Sequence, residues 1–160
     1  MGLVGWKIMK QKYTLDEYIT LEQNMVNDLL HFYNSRNDFS EIIYTDWTAK
    51  DILAHIVMWH ESFANNIMAI IDGTKPKLLE GLLYEINENG VKESRKYSVD
   101  ELCKKLIKAQ EIINNNIKNI KIEIIPYRKN SKRKYTKEEH LEIVYKHIQG
   151  HYNDIIKKYK

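Results

Sequence analysis

The chain has 160 residues, which suits a single domain large enough to bury a core of its own. Apolar residues make up 43% of the sequence and charged residues 29%, and the net charge of +3 is too small to indicate nucleic-acid binding. No apolar run approaches the length of a membrane span, and the N-terminus lacks the pattern of a signal peptide. The single cysteine, Cys103, excludes an internal disulfide and is typical of a cytoplasmic protein.

One helix-start pattern occurs four times along the chain. A serine or threonine followed three residues later by an acid satisfies free amide groups at a helix N-terminus. The four copies occupy residues 14–17, 48–51, 98–101 and 136–139. Each copy precedes a segment with helical apolar spacing, so the sequence predicts helices over residues 15–34, 49–71, 99–121 and 137–158.

The segments outside these four helices differ in length and character. Residues 1–12 are expected to form a loose extension, and residues 13–160 are expected to form the folded domain. The long link 73–97 is expected to hold a short helix with an exposed tail, and residues 122–126 a short extended piece. Residues 128–134 form a basic loop, interpreted as a solvated connection or as a guide for an acidic ligand. The predicted fold is therefore an all-α four-helix bundle with a long crossover link between helices 2 and 3.

Three histidines are candidate metal ligands. His147 and His151 are four residues apart, so they are neighbours on the surface of the last predicted helix. His55 lies at the edge of the apolar stripe of the second helix, and a bundle can turn both edges toward one cavity. Three imidazoles that leave positions for water are typical of a catalytic metal site. The alternative is that these histidines are exposed or satisfied by other contacts, because six histidines often produce this spacing by chance.

Four further residues are candidates for the surroundings of this site. Asp51, one turn before His55, is a candidate hydrogen-bond partner for that ring. Trp59 is interpreted as a core residue or a pocket wall, and His140 as a residue at the rim. Glu22 interrupts the apolar stripe of the first helix, so it is a candidate general base if it faces the cavity. Otherwise its carboxylate reaches water at the edge of the stripe.

Three other residues carry weaker expectations. His31 and His60 are interpreted as surface or packing residues. Gly150 is unusual inside a helix, where glycine costs about 1 kcal/mol relative to alanine. It either permits close approach of a neighbouring helix or a substrate, or it is a tolerated weak spot.

The segments that contain the histidines resemble the DinB-like family of four-helix bundle proteins. Residues 47–56, Trp-Thr-Ala-Lys-Asp-Ile-Leu-Ala-His-Ile, look like the tryptophan, acid and Leu-Ala-His signature of that family. Residues 147–156 look like its terminal His-x-x-x-His element. Residues 84–91 and 97–102 are similar to the crossover before the third helix, especially in the ClbS/DfsB-like branch. The resemblance covers about residues 13–158.

The resemblance implies an up-up-down-down-like bundle that is often dimeric, so a homodimer is expected. It also implies a divalent metal, nickel or zinc, at the positions matching His55, His147 and His151. Relatives include S-transferases and isomerases that use a low-molecular-weight thiol, mycothiol or bacillithiol, which the metal activates. The ClbS-like colibactin-resistance member has another residue at the position of His55, so a complete triad argues against cyclopropane hydrolysis of that type.

Two classes of function remain open from the sequence. The first is a metal-dependent enzyme, a thiol-dependent S-transferase or hydrolase that detoxifies an electrophilic small molecule. The alternative is a bundle protein without catalysis, which sequesters a small molecule or serves a stress response, as in ClbS/DfsB-like self-resistance. Both readings place a small-molecule ligand on a cytoplasmic protein, and neither includes a nucleic-acid or membrane partner.

Overall fold

The computed structural model describes residues 12–126, residue 129 and residues 134–160. Nearly all of the expected N-terminal extension and most of the basic loop therefore lie outside the described residues. The described part is mainly helical, and the prediction of an all-α bundle is confirmed. Its five helices are α1 (Leu15–Asn34), α2 (Ala49–Asp72), α3 (Leu83–Ser94), α4 (Val99–Asn116) and α5 (Lys137–Lys158).

Four of the helices begin at the predicted capping boxes. In α1, the Thr14 hydroxyl accepts a hydrogen bond from the Glu17 N–H at 3.2 Å. The Glu17 carboxylate accepts one in return from the Thr14 N–H at 3.0 Å. The same reciprocal pair begins α2 at Thr48, α4 at Ser98 and α5 at Thr136. These hydrogen bonds satisfy amide groups that the first turn of a helix leaves without a partner.

The third predicted helix is shorter than expected. The apolar spacing extended it to residue 121, whereas α4 ends at Asn116. The helix closes on three consecutive asparagines, whose side-chain amides compete for backbone hydrogen bonds and so weaken helical structure. A turn follows, in which the Asn119 side chain accepts from the N–H two residues later at 2.9 Å. Ile120, which lies within the predicted helix 99–121, is consequently 90% exposed.

The long middle link contains a short helix, as expected. This helix, α3, packs against α2, and Gly90 permits the close approach. A Cβ atom added at Gly90 would lie 2.2 Å from Met58 Sδ, well inside van der Waals contact. The start of α3 carries the exposed side chains Leu82 and Tyr84.

Two short antiparallel hairpins lead into helices α2 and α5. In the first, β1 (Ile42–Tyr44) pairs with β2 (Trp47–Thr48), and α2 follows directly. In the second, β3 (Ile124–Ile125) pairs with β4 (Tyr135–Thr136), and α5 follows directly. The extended piece predicted over residues 122–126 is confirmed by β3, whereas the first hairpin was not predicted.

The core lies between α1, α2, α4 and α5, which form the bundle. Its fully buried side chains come from all four helices, and they include Leu29, Ile52, Ile67, Leu106, Ile113, Leu141 and Ile148. Within the described part of the chain, no helix combines the length and the apolar character that crossing a membrane requires. The bundle brings α2 and α5 into contact, and these are the helices that carry the candidate ligands.

Candidate metal centre

Three histidines meet where α5 packs on α2. His147 and His151 come from consecutive turns of α5, and His55 comes from α2. The Nε2 atom of His147 lies 3.0 Å from Nε2 of His55 and 3.0 Å from Nε2 of His151. One nitrogen from each ring lies within 4.8 Å of the other two. We call His55, His147 and His151 the three-histidine cluster.

The donor atoms of the three-histidine cluster fit a cation. Each imidazole nitrogen has either one hydrogen or one lone pair in the ring plane, so it makes one good hydrogen bond. His147 Nε2 has two close nitrogen neighbours, and a hydrogen bond accounts for only one of these contacts. For comparison, two nitrogens about 2.0 Å from a tetrahedral zinc ion lie roughly 3.3 Å apart. The cluster therefore has the size and the donor type of a metal site.

Burial keeps the three-histidine cluster neutral. It lowers the pKa of His55 to about 3 and the pKa of His151 to about 4. Burial also lowers the pKa of His147 well below its ordinary value, and the neighbouring histidines act in the same direction. Neutral imidazole is the form that binds a metal ion. At neutral pH the cluster therefore offers lone pairs rather than positive charges.

Two tryptophans flank His55, and α3 fixes both of them. The Trp47 ring lies 5.0 Å from the ring of His55. Trp47 donates its indole N–H to Glu88 at 3.0 Å, and Trp59, one turn after His55, donates to Asn87 at 2.8 Å. Glu88 and Asn87 are consecutive residues of α3. The crossover helix thus holds two large apolar rings beside the cluster.

Trp59 also lines a small cavity between His60 and His147 of the three-histidine cluster. The cavity has a volume of about 20 Å³, which is room for roughly one water molecule. Its lining is otherwise apolar, and the residues around it are Ile56, Trp59, His60, Val144, His147 and Ile148.

A second buried polar group consists of Glu22, His60 and Gln110, which are 0%, 2% and 3% exposed. His60 Nε2 lies 2.6 Å from the Gln110 amide oxygen and 3.2 Å from Glu22 Oε1. The Gln110 amide donates to Glu22 Oε2 at 2.5 Å. The alternative in which Glu22 reaches water is therefore wrong, and His60 is a packing residue rather than a surface residue. The Glu22 carboxylate contacts His60 of α2 and Gln110 of α4.

The structure does not bring Asp51 to His55. Its carboxylate accepts from the Thr48 N–H at 3.1 Å and forms an ion pair with Arg95 at 3.3 Å. Among the described residues, His55 Nδ1 has no hydrogen-bond partner. The helix cap uses the carboxylate that the sequence suggested as an orienting group, so Asp51 acts at the start of α2.

His140 lies in the core and not at the rim of the site. Its ring stacks on Phe63 with centroids 4.3 Å apart, and the side chain is 5% exposed. Burial lowers the pKa of His140 to about 4. Gly150, between the two α5 ligands, has open space around it: no described atom lies within 4 Å of an added Cβ. That supports the interpretation of Gly150 as a tolerated weak spot.

Sequence reasoning missed Tyr44, which contacts the cluster, and Asp154, which contacts Tyr44. The Tyr44 hydroxyl on β1 lies 2.9 Å from His151 Nδ1 and 2.5 Å from Asp154 Oδ2. Asp154 follows His151 by three residues on α5, and this helical neighbour spacing was an available signal. Tyr44 lies on a three-residue strand, where no periodic pattern points to it.

Two solved structures resemble this chain over 91% of its length. They are the crystal structure of a mycothiol-dependent maleylpyruvate isomerase, 14% identical, and that of a histidine-to-alanine mutant of this isomerase, 13% identical. Both give a TM-score of 0.72. The chain therefore shares the bundle fold of this solved isomerase.

At this level of identity the likeness establishes the fold alone. The chain spans 63% of the length of each solved structure. No family model matches the chain, and no curated protein matches it. Assignment to the ClbS/DfsB-like branch therefore stays a prediction.

Proposed function

We propose that this protein is a metal-dependent enzyme that uses a low-molecular-weight thiol to transform an electrophilic small molecule. The observation that supports the proposal is the convergence of three neutral imidazoles, one buried and two half-buried, on one point. The structural likeness gives further support, because a solved protein with this fold is named as a mycothiol-dependent isomerase.

His55, His147 and His151 would hold the ion, and their imidazole nitrogens suit zinc or nickel. A bound ion of this kind supplies Lewis acidity, which lowers the pKa of a thiol and favours the reactive thiolate. The bundle contributes the rest: α2 and α5 orient the rings, and burial keeps them unprotonated. Trp47 packs beside the ring of His55, and Trp59 lines the cavity beside His147, so both place apolar surface next to the cluster.

The activity of the purified protein tests this proposal. The metal-loaded protein is incubated with mycothiol or bacillithiol and a panel of electrophiles, and the loss of free thiol is measured. We expect turnover that a chelator abolishes and that added zinc or nickel restores. His147→Ala should be inactive, whereas His31→Ala, which replaces an exposed histidine of α1, should retain activity. Turnover that survives chelation would contradict the metal-dependent mechanism.

Binding without catalysis is the second candidate, and a larger cavity favours it. This cavity lies between α2, residues 77–80, α3 and α4, and its volume is about 550 Å³, within the range of small-molecule pockets. Its lining mixes apolar side chains such as Leu79 and Ile86 with Lys77 and Glu93. Under this alternative, a bound compound raises the melting temperature equally before and after chelation, and no thiol is consumed.

A further inference from the structure

Tyr44 connects the first hairpin to the face of α5 that carries the ligands. Its hydroxyl lies between two groups of α5, 2.9 Å from His151 Nδ1 and 2.5 Å from Asp154 Oδ2. The rings of Tyr44 and His151 meet edge to face with centroids 5.7 Å apart. A tyrosine hydroxyl has a single hydrogen, so it donates to only one of these two neighbours.

The position of that hydrogen follows from the chemistry of the two neighbours. An ionised carboxylate only accepts hydrogen bonds, so Tyr44 donates to Asp154. The hydroxyl oxygen then accepts from His151, and His151 Nδ1 must be the nitrogen that carries hydrogen. A neutral imidazole has one N–H, which leaves the lone pair on Nε2.

We infer that Tyr44 and Asp154 are positioning residues that hold His151 in the tautomer whose Nε2 lone pair faces the three-histidine cluster. This inference rests on the proposed metal site and adds two residues to it. Groups that hydrogen-bond the second nitrogen of a ligating histidine fix its tautomer and ring orientation, and their loss typically weakens metal binding about 10- to 100-fold. His55 has no such partner among the described residues, so this pair orients one specific ligand.

The two residues act differently, which separates positioning from a merely structural tether. In Tyr44→Phe, His151 Nδ1 loses its acceptor, and the ring should become a mixture of tautomers. In Asp154→Ala, the Tyr44 hydroxyl is free to donate to Nδ1, which moves the hydrogen of the imidazole to Nε2. The Asp154 variant should therefore present N–H where the metal-binding lone pair stood. A structural tether predicts no change of tautomer in either variant.

The experiment combines two measurements on wild type, Tyr44→Phe, Asp154→Ala and the control Tyr84→Phe, whose side chain is 74% exposed. Imidazole nitrogen shifts of the metal-free proteins, measured by NMR, report the tautomer of His151. Competition with a chromogenic chelator reports zinc affinity. We expect an Nδ1–H tautomer in wild type and in the control, and a zinc affinity about 10- to 100-fold weaker in both site variants.

The outcomes separate the positioning role of Tyr44 and Asp154 from the proposed metal-dependent function. A wild-type protein with hydrogen on His151 Nε2, or a Tyr44→Phe variant with unchanged tautomer and zinc affinity, overturns the inference. A wild-type protein that binds no zinc or nickel overturns the proposed function. In that case the tautomer measurement still decides whether Tyr44 and Asp154 orient His151. Loss of thermal stability without a change of tautomer identifies a structural tether and also overturns the inference.

Discussion

His140 is a buried histidine outside the three-histidine cluster, and it makes stability depend on pH. Its folded-state pKa is lowered to about 4 because burial disfavours the charged ring, whereas a histidine in an unfolded chain titrates near 6.5, roughly. Between these two values the unfolded state binds more protons than the folded state. The contribution of neutral His140 to the free energy of unfolding is therefore complete above the pKa of the unfolded state. It is lost as pH falls toward the pKa of the folded state.

We predict that replacing His140 reduces the loss of stability in acid. A pKa difference of this size corresponds to up to about 3 kcal/mol of unfolding free energy. The free energy of unfolding of the metal-free protein is measured in urea at several pH values from about 7.5 to about 4.5. It should fall less steeply with decreasing pH in His140→Gln than in wild type. His31→Gln, at an exposed position, should follow the wild type. Equal slopes in both variants would contradict a neutral buried His140.

The sequence allowed the three ligand candidates to be selected, because helical spacing and apolar edges are local properties. It did not allow the contacts of the other buried polar residues to be predicted. Glu22 had two interpretations, facing the cavity or reaching water, and the structure places it with His60 and Gln110. Those partners come from α2 and α4, and a pattern along α1 contains no information about which distant side chains will meet it.

At the scale of elements, helix starts were predicted better than helix ends. A capping box is a contact between residues three positions apart, so four residues of sequence contain the whole signal. The end of α4 depends on a competition between helical apolar spacing and the weak propensity of three asparagines, which the spacing alone could not decide. The β1–β2 hairpin was missed because strands of three and two residues are too short to show alternation.

Two helical glycines are expected to respond differently to replacement by alanine. Gly150→Ala should raise the unfolding free energy by about 0.5–1 kcal/mol, because the position is open and alanine favours the helix. Gly90→Ala should lose that gain, because the new methyl group meets Met58 and forces its side chain to move. Chemical unfolding of the two variants beside wild type measures the difference.

A double-mutant cycle identifies the cause at Gly90. If the contact with Met58 is responsible, Gly90→Ala should stabilise a Met58→Ala background, in which the clashing sulfur is absent. Additive effects in the two backgrounds would show that another contact limits the approach of α3 to α2. Gly150→Ala serves as the control, because it should have the same effect in both backgrounds.

At the scale of the whole molecule, the bundle accounts for how distant parts of the chain reach one site. α2 and α5 supply the ligands, the first hairpin supplies Tyr44, and α3 holds the two tryptophans. The bundle and its crossover link could be predicted from capping, spacing and family resemblance. The homodimer, the cytoplasmic location and the absence of nucleic-acid partners remain predictions.

The central claim is that the three-histidine cluster holds one divalent metal ion. Elemental analysis of protein purified without a nickel column, followed by loading with zinc or nickel and removal of excess ion, tests it most directly. The account predicts about one ion per chain in wild type and in His31→Ala, and almost none in His147→Ala. Circular dichroism confirms that each variant retains its helices. Wild-type protein without bound metal, or a folded His147→Ala variant with full loading, would contradict the account.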